Sequence, residues 1–98
     1  MAVPHSPSTD RLFRAILRLE SVEECYDFFE DLCTVKEVLD MTQRLDAALL
    51  LKAGENYQSI SEKVGLSTAT ISRVSRCVQY GSGGYRKAIQ KIEEEELT

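Results

Sequence analysis

Ser67, Thr68, Ala69, Thr70, Ser72, Arg73 and Arg76 bring small hydroxyl and methyl groups together with guanidinium charge, and no Asp or Glu lies between them. Such a set suits the recognition of a polyanion. Hydroxyls reach bases or phosphates, an alanine methyl suits a thymine methyl, and arginines neutralise backbone charge. At the start of a helix, free backbone N–H groups would face phosphates as well. Asn56, Gln58 and Lys63, a few residues earlier, add further donors.

Covalent chemistry is poorly provided for. The one histidine, His5, falls in the Pro/Ser-rich beginning "MAVPHSPSTD", and Cys25, Cys33 and Cys77 are an odd set without CxxC spacing. The "GSGG" run at 81–84 lacks the following Lys and the preceding strand of a phosphate-cradling loop. No metal site, catalytic residue or enzyme activity is expected, and each cysteine is expected to be a small buried hydrophobe in a reduced cell.

The basic and hydroxylated residues need a scaffold that presents them together. In "SISEKVGLSTATISRVSRCV", Ser59 to Val78, the spacing predicts two short helices crossing steeply. Ile60 and Val64 face inward from the first, Ser61 is the small residue near the crossing, and Gly65 makes the turn. Leu66 plugs that turn, while Ile71 and Val74 face inward from the second helix. Thr68, Ala69, Ser72, Arg73 and Arg76 are then left pointing outward. This is a helix-turn-helix pattern, and its outward set could enter a major groove.

The rest of the chain reads as helices that carry this unit. "DRLFRAILRL" sets Leu12, Phe13, Ile16 and Leu17 at helical spacing against Arg11, Arg14 and Arg18. Ser21 and Glu24 form a capping box for a second helix with apolar residues at Val22, Cys25, Tyr26, Phe29, Leu32 and Cys33. Phe28 falls off that stripe, so it is either exposed or buried against another chain. Thr34 and Glu37 form the next box, and no Gly or Pro interrupts the chain until Gly54, which predicts one long third helix. Its second half, "AALLLKA", is apolar nearly all round, as in a helix contacted from several sides. Either Asn56 or the Ser59/Glu62 pair caps the fourth helix, and either Ser67 or Thr68 caps the fifth, which runs to about Val78. "YRKAIQKIEEEEL" closes the chain as a sixth. No segment shows strand alternation, and the expected class is all-α.

Ninety-eight residues bury only a modest core, so a second copy is a natural source of extra cover. The expected organisation is a flexible tail at 1–8 and a single helical domain at 9–95. Within it, 9–55 are dimerisation helices, 56–79 the helix-turn-helix and 84–95 the last helix. Charge is unevenly spread: the whole chain carries -4, yet residues 56–87 hold five bases and only Glu62 as an acid. Net charge governs solubility, whereas a local patch decides what docks. No apolar run is long enough for a membrane span and the beginning is unlike a secretory signal, so a cytoplasmic protein is expected.

"LDMTQRLDAALLLKAGE" followed by "ISEKVGLSTATISRVSR" resembles the Trp repressor superfamily, most closely its YerC/YecD-type branch of bacterial transcriptional regulators. The similarity covers about Leu12 to Ile92, with "STATISR" its most specific part. The resemblance implies an intertwined homodimer whose amino-terminal helices share a core and whose two helix-turn-helix units bind double-stranded DNA. In the Trp repressor two arginines flank a bound tryptophan, and a glycine beside the second leaves space for the indole. Matching "ATISR" implies that one of these is Arg73. A turn shortened by one residue near Tyr57 would put the other at Arg44 and a pocket threonine at Thr34. Val74 stands where the family has the glycine, and its β-branched side chain would crowd the ring. No cofactor is therefore expected; of the small co-repressors left open, tryptophan or another molecule, tryptophan is disfavoured. A rival reading is a helical module that binds a protein partner and uses the helix-turn-helix only as architecture; exposed Phe28 and Tyr85 would favour it.

Overall fold

A computed structural model describes residues 2–97, and among them every regular element is a helix. The order is α1 (Pro7–Leu17), α2 (Val22–Leu32), α3 (Val35–Lys52), α4 (Tyr57–Val64), α5 (Thr68–Tyr80) and α6 (Gly84–Leu97). None of these helices is long and apolar enough to cross a membrane. The chain divides into two compact units, one up to Val38 and one from Leu39 onward, with the division inside α3. In the first unit α1 and α2 bury no residue, so their apolar stripes build no core of their own.

Local chemistry explains the helix starts in the first unit. Ser6 caps α1 by accepting the Thr9 N–H at 3.1 Å, and Pro7 opens the helix where its missing N–H costs nothing. The helix therefore begins inside the stretch assigned to a flexible tail at 1–8. In α2, Ser21 Oγ accepts the Glu24 N–H at 3.1 Å and the Glu24 carboxylate reaches back to the Glu20 N–H at 2.9 Å. Thr34 and Glu37 make the reciprocal box at 2.8 and 3.1 Å. Phe28 is half-buried edge-on to Phe29, with ring centroids 5.8 Å apart. Leu17, Val22 and Tyr26 remain well exposed, at 80%, 71% and 60%, which leaves an uncovered apolar face on these helices.

The second unit owns the core. Ala47, Ala48, Ile60, Ile71, Val74 and Ile89 are buried together, with Leu45, Leu49, Leu50, Leu51, Val64, Leu66, Val78 and Tyr85 packed around them. Ala47 and Ala48, both at 0% exposure, bring the apolar half of α3 into this core, which accounts for the residues that read as apolar on every side. In turn α4 packs on α5 and α5 on α6. Gly81 is required where α5 ends, because a Cβ there would stand 2.3 Å from the Cys77 carbonyl oxygen. One expectation fails: Cys25 and Cys77 are exposed and Cys33 is half-buried, because the first two stand on helix faces that nothing in their units covers.

Candidate nucleic-acid interface

The helix-turn-helix forms from the residues that predicted it. Asn56 Oδ1 accepts the Ser59 N–H at 2.8 Å and starts α4, so Asn56 and not Ser59 is the cap. Gly65 ends α4 in the left-handed region, φ 82°, where a side chain would be strained. Ser67 starts α5, accepting the Thr70 N–H at 3.2 Å. Ile60 and Ile71 are fully buried and Val74 is 4% exposed, while Val64 and Leu66 are half-buried. Ser61 does more than stay small: its Oγ donates to the Leu66 carbonyl at 2.7 Å and ties the turn shut.

On the outward side of α5, Ser67, Thr68, Ala69, Arg73 and Arg76 are exposed, and Thr70 and Ser72 are half-buried. No acidic residue occurs in α5. Among the described residues neither Arg73 nor Arg76 is engaged by a carboxylate, so both charges are open to an incoming anion. Two of the hydroxyls are partly committed, since Ser67 Oγ and Thr70 Oγ1 are hydrogen-bonded at 3.0 Å. Among the described residues no such bond engages the Thr68 or Ser72 hydroxyl.

The contributions from α4 are more guarded. Lys63 pairs with Glu55, and this bond, with a second from Ser59, holds the Glu55 carboxyl below the usual range despite some desolvation. Gln58 Nε2 donates to Glu62 at 3.2 Å. Sequence reasoning missed Glu55 as the partner that offsets Lys63. The eight-residue spacing gives no helical signal for it, because Glu55 lies before the Asn56 cap, outside α4.

The residues matched to an effector pocket are dispersed in character. Thr34 belongs to the first unit, where its hydroxyl accepts the Glu37 N–H. In the second unit Arg44 and Arg73 are exposed, whereas Val74 is packed into the core. Tyr85 on α6 is half-buried, and burial raises its hydroxyl above the ordinary value; Cys77 adds to the rise and Arg44 opposes it. With Phe28 and Tyr85 both half-buried, neither offers the exposed aromatic that a protein-docking module would present. Among the described residues no cluster of His, Cys, Asp and Glu has the arrangement to hold a metal ion.

Residues 8–93 match the profile of the family described as "Trp repressor protein". A relative in Bacillus subtilis (strain 168), YerC, itself uncharacterised, is 48% identical over 87 residues, which cover 89% of this chain and 84% of that one. A solved TrpR-like protein from Eubacterium eligens has a TM-score of 0.87 at 44% identity, covering 90% of this chain and 91% of that chain. A second solved structure, from Staphylococcus aureus, also gives 0.87, at 46% identity over 91% of this chain and 89% of its own.

Proposed function

The chain belongs to the Trp repressor family, and from that premise we propose that it is a sequence-specific DNA-binding transcriptional regulator that acts as a homodimer. The observation that carries this reading is the outward face of α5, exposed, basic and free of acids in a chain of net charge -4. In this reading Thr68, Ala69 and Ser72 touch base edges, and the Ser67 end of the helix meets a phosphate. Asn56, Gln58, Lys63, Thr70, Arg73 and Arg76 hold the backbone and fix register. Arg73 and Arg76 dominate this group, because Glu55 offsets the Lys63 charge and Glu62 takes one of the Gln58 amide donors.

The uncovered apolar residues of α1 and α2 support a second copy as the partner. Two-fold symmetry would then set the two α5 helices into successive major grooves, with half-sites about 34 Å apart. Selection of bound sequences from a random DNA pool tests both parts at once. Enrichment of palindromic sites is the expected result; enriched sites without two-fold symmetry would refute the dimeric docking, and no enrichment would refute the DNA reading.

Tryptophan is the co-repressor that the family suggests, and the burial of Val74 supports a position closed to an indole. A side chain that fills the core beside Ile60 and Ile71 does not frame an open slot. Millimolar tryptophan is therefore expected to leave the DNA affinity of dialysed protein unchanged. A tenfold or greater gain in retardation on adding it, about 1.4 kcal/mol, would show that the site opens after all.

A further inference from the structure

The mid-helix residue Gln43 of α3 makes a contact that neither the core nor the hairpin itself accounts for. Its Nε2 donates to the carbonyl of Val64 at 3.1 Å, across 21 residues of sequence. Val64 is the last residue of α4, and carbonyls at a helix end lack intrahelical partners. The same Nε2 lies 3.7 Å from where a Cβ on Gly65 would stand, so the amide rests against the left-handed turn between the two DNA-facing helices. From the hairpin's own side, Ser61 secures that turn through Leu66 and through the Gly65 N–H, which it receives at 2.9 Å.

Between α3 and the hairpin the shared core is apolar, Ala47 and Ala48 being buried with Ile60, Ile71 and Val74. Such contact is non-directional and resists separation better than it resists sliding or rotation. A hydrogen bond with a required angle and length supplies what packing lacks. We infer that Gln43 is a positioning residue that fixes the helix-turn-helix turn to α3 and thereby sets the angle at which α5 is presented. Its effect on DNA rests on the function proposed above, whereas the clamp on the turn stands independently of it.

Two substitutions of similar size test the donor specifically. Gln43→Met keeps the volume without a donor, and Gln43→Glu keeps the shape but turns the amide into an acceptor. Both are expected to speed amide hydrogen exchange at Gly65 by about five-fold, the loss of one ordinary hydrogen bond, with α6 amides unchanged. On a selected DNA site, both are expected to lower affinity by a similar factor of about five while binding to random DNA stays the same. Wild-type exchange at Gly65 in the Glu variant, or faster exchange spread evenly over the second unit, would overturn the assignment. If the unsubstituted protein retards no DNA, the functional reading fails and the exchange result alone decides the role of Gln43.

Discussion

Replacing Arg73 and Arg76 together with Ala is expected to reduce DNA affinity by roughly a hundredfold or more at moderate salt while leaving the fold intact. Both side chains are exposed and neither is held by a carboxylate among the described residues, so their removal strips charge from the surface without opening the core. A dimer would lose four phosphate contacts. Each neutralised phosphate contributes a slope near -0.9 to the plot of log affinity against log salt, so the double variant should bind with a slope shallower by roughly 3 to 4. Band shifts over a salt series read both quantities, and unchanged thermal unfolding shows that the fold survives. Equal affinity and equal slope for the variant would mean that α5 does not face the backbone. Lys63→Ala should cost much less, because its ammonium already serves Glu55.

Ile71→Ala is expected to destabilise the protein by about 2–5 kcal/mol, the range for deleting a fully buried branched side chain and leaving a cavity. Ile71 is 0% exposed and belongs to the buried cluster with Ala47, Ala48 and Ile60, so no surface neighbour can fill the gap cheaply. Against a typical domain stability of about 5–15 kcal/mol this is a large loss. Urea unfolding measures it, and Ile71→Val provides the scale at about 0.5–1.5 kcal/mol. A loss under about 0.5 kcal/mol for the alanine variant would show that the core is looser than its burial indicates. Because Ile71 anchors the inner side of α5, the same variant separates scaffold from contact: it should fail by unfolding, whereas the arginine variant should fail while folded.

What could be read from the chain alone follows from the range of the interactions. Capping boxes at Ser21/Glu24 and Thr34/Glu37 operate over three residues, so their partners are visible in the sequence, and both are present. Gly65 and the inward set Ile60, Ile71 and Val74 were legible for a similar reason, since a tight turn and helical periodicity constrain residue type directly. The start of α1 was within reach too, because Ser6 followed by Pro7 is a capping signal that the apolar pattern alone overlooks. Contacts across long separations left no such trace. Gln43 reaches Val64 from another helix, and Lys63 finds Glu55 in the loop before α4; neither follows from periodicity. Cysteine burial does not follow from residue type, because exposure depends on what covers a helix face. The apolar stripes of α1 and α2 pose the same question, and the proposed second copy answers it.

The most direct test is the affinity of the purified protein for a selected duplex, measured by band shift from ~50 mM salt upward. Retardation at the lowest salt that falls steeply and linearly on log-log axes is the predicted result. Absence of retardation of any duplex at ~50 mM salt would contradict an α5 surface built to lie against DNA.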